Sequence, residues 1–133
     1  MEEDFEFGSP EEQRLSVDRY EEMLRNEDQY FFDAKAFERI MEYYTDKDDP
    51  VKALQVAEYA KNQHPYESTF LLKKAHLYMR TNQIDRALEE LDRASILEPN
   101  NGAAFLLRGN IALLQGDLEE GEQFFLQAIE LGE

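Results

Sequence analysis

Cysteine and tryptophan are both absent from this 133-residue sequence. Without cysteine there are no disulfides and no thiolate metal sites, so the fold must hold by burial alone. At this length a domain buries roughly two-thirds of the surface its unfolded chain exposes, which is enough. Long apolar runs are lacking too. None approaches the roughly 20 residues that span a bilayer, and the opening Met-Glu-Glu-Asp has the wrong charge for a secretory leader or an organellar presequence. A soluble, cytoplasmic protein is the expectation. Basic residues are scarce, 14 Lys and Arg against 30 Asp and Glu, a net charge of −16. Nucleic-acid affinity comes largely from Lys and Arg neutralising phosphates; nucleic acids and anionic membranes are therefore excluded as expected partners. The residues of catalysis are missing as well. There is no Gly-rich phosphate loop and no nucleophile elbow, and His64 and His76 lack the cysteine or spaced carboxylate partners of a zinc site. Asp46-Lys47-Asp48-Asp49 opens like a calcium loop, but Pro50 and Val51 stand where a ligand and a glycine are required. No catalytic residue, no metal and no cofactor are expected.

What the sequence does contain is a period. Displaced by 34 residues, Pro65 meets Pro99, Tyr44 meets Tyr78, and Ala60 meets Ala94 and Ala128. Three further columns run through all three copies: Ala53/Ala87/Gly121, Met41/Ala75/Gly109 and Phe37/Leu71/Phe105. A fixed period of this length belongs to folds in which one unit cannot bury its apolar face alone and stacks on its neighbours. Each copy reads as two helices. Asp33 opens the first helix of copy one, and Asp49 with Pro50 opens the second. The next two copies supply helices over about 67–81, 84–97, from Gly102 or Ala103 to Leu114, and from Asp117 onward, separated by Thr81-Asn82-Gln83, Pro99-Asn100-Asn101 and Gln115-Gly116. Upstream, Ser9-Pro10-Glu11-Glu12 is a capping-box start, predicting a helix from Pro10 to about Asn26 with an apolar stripe of Leu15, Tyr20, Met23 and Leu24. Residues 1–8 read as a disordered acidic tail, 9–32 as a capping helix and connector, and 33–133 as three units, 33–66, 67–100 and 101–133.

The order within a unit is large apolar, small, Tyr, turn, small, apolar, Ala, Pro, with Ala112 in the Tyr place and no Pro in copy three, and it resembles the tetratricopeptide repeat (TPR). Copy two carries it on Leu71, Ala75, Tyr78, Ala87, Leu91, Ala94 and Pro99; copy one on Phe37, Met41, Tyr44, Ala53, Ala57, Ala60 and Pro65; copy three on Phe105, Gly109, Ala112, Gly121, Phe125 and Ala128. Met41 departs from the family's small residue, and Lys74 and Arg108 stand where the family prefers Leu. The resemblance is to the N-terminal part of bacterial multi-repeat members. It implies an all-α, right-handed α-α superhelix of three helix pairs preceded by one capping helix, and a non-enzymatic scaffold that binds a protein segment in a concave groove.

In that frame the groove is lined by the first helix of each unit: Glu38, Arg39, Glu42 and Asp46 in copy one; Leu72, Lys73, His76, Met79 and Arg80 in copy two; Leu106, Asn110, Leu113 and Leu114 in copy three. Family members that clamp the terminal carboxylates of chaperones use Lys and Asn where Glu38 and Glu42 stand, so a carboxylate is expected to be repelled there. A segment with basic residues and apolar anchors fits better. The last helix carries Leu118, Phe124, Phe125 and Leu131 with no following helix to cover them, which raises a second expectation, self-association as a homodimer through this end. Gly121, mid-helix in a column otherwise held by alanine, is expected to become more stabilising as alanine.

Overall fold

The computed structural model describes residues 9–133; the tail expectation for 1–8 lies outside them. Seven helices follow in order: α1 (Pro10–Asn26), α2 (Ala34–Asp46), α3 (Pro50–Gln63), α4 (Ser68–Arg80), α5 (Ile84–Leu97), α6 (Gly102–Leu114) and α7 (Leu118–Glu130). They pack as sequential neighbours: α1 on α2, then the pairs α2/α3, α4/α5 and α6/α7, with α6 also touching α4 and α5. The fold is an all-α helix-pair repeat. Its chain forms two compact units, Met1–Pro65 and Tyr66–Glu133. No described helix is long and apolar enough to cross a membrane.

Helix starts follow the capping chemistry of the sequence. The Ser9 hydroxyl accepts from the Glu12 N–H at 3.1 Å while the Glu12 carboxylate accepts from the Ser9 N–H at 2.9 Å, a closed capping box. Asp33, Asp49, Asn101 and Asp117 cap α2, α3, α6 and α7 in the same sense. The turn inside each pair is built three times to one plan. Backbone N–H groups of Asp49, Gln83 and Asp117 donate to the carbonyls of Tyr44, Tyr78 and Ala112 at 2.8–2.9 Å, each 34 residues after the last. The residue before each donor is left-handed: Asp48 at φ 59°, Asn82 at 61° and Gly116 at 83°. Only Gly116 announces that conformation by its residue type; Asp and Asn tolerate it less freely. The period is thus present in the backbone hydrogen bonds as well as in the apolar columns.

Unit one closes around aromatic rings. Tyr20 of α1, 2% exposed, meets Phe32, Tyr44 and Tyr59 edge-on with centroids 5.8–6.3 Å apart. The core face of α1 is Val17, Tyr20 and Met23, which corrects the predicted stripe: Leu15 is 64% and Leu24 42% exposed. Val17, Tyr20 and Met23 are three apart and share one side, whereas Leu15 lies two residues, about 200°, from Val17. The Tyr20 hydroxyl is buried and makes no hydrogen bond among the described residues; desolvation, and then Tyr59, push its pKa far above the ordinary phenol value. Tyr20→Phe removes an unsatisfied polar atom and keeps the ring, so it should raise the unfolding free energy by about 1 kcal/mol. A thermal midpoint lowered by the change would show that the hydroxyl has a partner. Tyr44 differs in this respect, because its hydroxyl donates to Glu21 at 2.7 Å.

The connector between α1 and α2 is held by the end of α3. Gln63 accepts from the Phe32 N–H at 3.0 Å and donates to the Tyr30 carbonyl at 2.8 Å. The Nε2 of His64 stands 2.8 Å from the Phe32 carbonyl. A carbonyl only accepts, so this contact selects the Nε2–H tautomer, and His64 is structural.

Unit two is packed on small residues. Ala75, Ala87, Leu91, Ala104 and Ile111 form one buried cluster, and Phe70, Ala94 and Ala128 are fully buried. Between α6 and α7 the contact is closer still. A Cβ added at Gly109 would lie 2.6 Å from the Phe125 ring, and one at Gly121 would lie 3.1 Å from Leu113 Cδ2 and 3.3 Å from the Gly109 carbonyl oxygen. This revises the expectation for Gly121. Leu113 is exposed and can yield, but the backbone oxygen resists, so the roughly 0.5–1 kcal/mol gained in helix propensity is offset and Gly121→Ala comes out near neutral. At Gly109 the ring must move. Overpacking of about 1–3 kcal/mol against a helix gain of about 1 leaves Gly109→Ala destabilising by about 1 kcal/mol. In a Phe125→Leu background the same change should become stabilising; chemical denaturation of the four proteins checks the reversal.

Candidate functional site

The first helix of each pair carries the predicted groove residues, and each unit presents its own set. In unit one, Glu38 and Glu42 sit half-buried on α2, one turn apart. In unit two, α4 carries Lys73, His76 and Arg80 at spacings of three and four, which places them along one side of the helix. Leu72 and Met79, seven apart, are partly buried and pack on the Ala75–Ile111 cluster. The adjoining α6 adds Leu106, half-buried, and Asn110 and Leu113, both exposed. Leu113 is the most accessible apolar side chain of this set, at 43%. Unit two therefore holds an apolar strip whose inner members serve the core and whose outer member faces solvent, edged by cationic groups. Desolvation lowers the His76 pKa, and the charges of Arg80 and then Lys73 lower it further.

The predicted C-terminal set divides. Leu118 and Leu131 are exposed, at 70% and 41%. Phe124 and Phe125 are half-buried within their own pair: Phe124 stacks on Phe105 of α6 with centroids 6.3 Å apart, and Phe125 lies over the space left by Gly109. The sequence expectation that these two rings lie bare is corrected by that packing. The exposed apolar residues of α7 are instead Leu118, Leu126 and Ile129.

Two carboxylates of α5 that the sequence reading did not pick out, Glu90 and Asp92, explain the departures from the repeat pattern. Lys74, 4% exposed, pairs with Glu90 of α5 at 3.2 Å. Arg108 pairs with Asp92 of α5 at 2.9 Å. Each cation in a leucine position is thus met by a carboxylate on α5. The one available signal was that both departures fall in a single column of the period while α5 supplies acids two residues apart. Among the described residues no cluster of His, Cys, Asp or Glu could hold a metal ion.

Residues 72–133 match the family model described as tetratricopeptide repeat. Among characterised proteins no sequence matches the chain significantly. Solved structures do. The first TPR domain of Spaghetti (RPAP3), bound to the HSP90 peptide SRMEEVD, superposes with a TM-score of 0.65 at 19% identity over 72% of this chain and 76% of that one. The second TPR domain of the same protein, bound to the same peptide, gives 0.61 at 16% identity, covering 91% of this chain and 98% of that one. MamA gives 0.63 at 18% identity over 74% of this chain, which spans 57% of that structure. With the 34-residue period, the thrice-repeated turn and the matched segment in agreement, the chain has the tetratricopeptide-repeat fold, and its residues 72–133 resemble that family in sequence.

Proposed function

We propose that this chain is a non-enzymatic scaffold that binds a protein segment along the first helices of its repeats. The observation that carries the reading is the strip on α4 and α6, where Leu113 remains 43% exposed beside Leu72, Met79 and Leu106. Methionine adapts to varied apolar partners, and side chains seven apart on neighbouring helices suit a segment with spaced apolar anchors. The two TPR domains of Spaghetti, solved with a bound peptide, support the same mode of use.

Charge narrows the partner. Glu38 and Glu42 give the α2 face of unit one a negative edge, which favours Lys or Arg in the segment that meets it and disfavours an acidic terminus such as that of SRMEEVD. A peptide with two or three apolar anchors flanked by basic residues should bind in a calorimeter, and SRMEEVD should give no measurable heat at ordinary salt. Leu113→Glu should weaken the productive peptide about tenfold or more, as expected where one apolar anchor is lost, with helicity unchanged. Micromolar binding of SRMEEVD would overturn the charge assignment; indifference to Leu113→Glu would overturn the strip.

A second reading is favoured by α7. Leu118 and Ile129, 70% and 62% exposed, leave an apolar face consistent with self-association. Sedimentation at high concentration separates the readings. A dimer lost on Ile129→Glu supports association through this end, and a monomer at every concentration removes it.

A further inference from the structure

Unit one contains a cleft of about 370 Å³ lined by Leu15, Ser16 and Arg19 of α1, Phe31, Phe32 and Asp33 of the connector, and Ala36 and Arg39 of α2. Its composition is unusual for this chain. Leu15 and Phe31 are 64% and 65% exposed at its edge, and two guanidinium groups stand in it against one carboxylate. That carboxylate, Asp33, is engaged in capping α2 through the Ala36 N–H at 2.8 Å. Arg19 is fixed by donating to the Phe31 carbonyl at 2.9 Å and by lying over the Tyr30 and Phe32 rings at 5.2 and 4.6 Å. Arg39 donates from Nε to the Ser16 hydroxyl at 3.2 Å. A guanidinium has five N–H donors, so these contacts orient both groups and leave each with further donors for an anion. Exposed apolar side chains beside oriented cations make a receptor for an acidic segment with aromatic anchors.

We infer that the occupant is the chain's own Glu2–Phe7. This segment, Glu-Glu-Asp-Phe-Glu-Phe, holds four carboxylates and two phenylalanines and no cation, the complement of two arginines beside exposed Leu15 and Phe31. It is also tethered at the right place. From Ser9, Leu15 and Arg19 lie about 9 and 15 Å along α1 at 1.5 Å per residue. An extended chain advances about 3.3–3.6 Å per residue, so Phe7 and Phe5 reach about 7 and 14 Å. Folded back along α1, the two rings come level with the two ends of the cleft. Tethering replaces a bimolecular encounter by a high effective concentration, which lets a few weak contacts suffice.

The absence of cysteine allows a direct test on the full chain. A nitroxide on Glu2→Cys is the sole label, and relaxation broadening of the backbone amides maps where the segment resides. Broadening is expected to concentrate on Leu15, Arg19, Phe31, Ala36 and Arg39, and to be lost from these residues with Phe5→Ala/Phe7→Ala and at high salt. Amides of α3, in the same unit but outside the cleft lining, unchanged throughout, report that the fold is intact. A broadening pattern centred on Ser9 and indifferent to the phenylalanine changes would overturn the proposal. So would broadening carried across chains in a mixture of isotope-labelled, unlabelled-spin protein with spin-labelled partner, which would make a second copy the occupant. An added acidic phenylalanine peptide that displaces nothing while the segment stays bound supports the assignment; a cleft that takes that peptide equally well with and without the phenylalanine changes refutes it.

Discussion

Glu90→Leu should lower the unfolding free energy by about 3–5 kcal/mol, and adding Lys74→Leu to it should restore most of the loss. The two side chains are 5% and 6% exposed with Nζ and Oε2 3.2 Å apart, so both have given up nearly all their water. A leucine at 90 fills the volume of the carboxylate but leaves the Lys74 ammonium in a dry helix pair without that counter-charge. A leucine at both positions removes the desolvation penalty along with the attraction, and it also eliminates Glu90 Oε1, buried without a hydrogen bond among the described residues. Replacing such a pair is often neutral or stabilising by about 1–4 kcal/mol. Arg93, which also reaches Glu90 at 3.2 Å, is 56% exposed and contributes little. Urea denaturation of the parent, both single variants and the double variant closes the cycle. A double variant less stable than either single one would show that the pair is held by more than mutual attraction.

The same pair marks where the sequence ceases to be legible. Columns of small residues at 34-residue spacing identify the helix pairs because close helix approach favours Ala or Gly, Met41 being the exception, and Ser9, Asp33 and Asp49 mark helix starts because few residues satisfy the first free N–H groups. Lys74 is opposed by its own chemistry: the period assigns it to the interior while its charge assigns it to the surface, and only the position of Glu90 on the facing helix decides. Phe124 and Phe125 fail for a related reason. Their burial depends on the space above Gly109 and on the ring of Phe105, contacts made between helices that no single-helix pattern contains. The proposed groove is a choice of helices and faces made from the sequence. How far each residue is spent on packing, as Leu72 and Met79 are and Leu113 is not, follows from the helix beside it.

Ala87→Leu should cost about 1–3 kcal/mol or more. Ala87 has no exposure and lies in the cluster of Ala75, Leu91, Ala104 and Ile111, where the small side chains set the distance between α4 and α5. A leucine there has no solvent edge to escape to, so either its rotamer is strained or the helices separate and uncover Leu91 and Ile111. The corresponding position in unit one, Ala53, is equally buried and should respond alike, whereas Ile96→Leu, at a residue 80% exposed, should stay within about 0.5 kcal/mol. All three variants end in leucine, but only those at the two buried alanines add volume inside a helix pair, so a loss confined to them reports overpacking. If Ala87→Leu and Ala53→Leu leave the denaturation midpoint where Ile96→Leu does, the columns are not close contacts, and the explanation of the 34-residue period by helix approach falls.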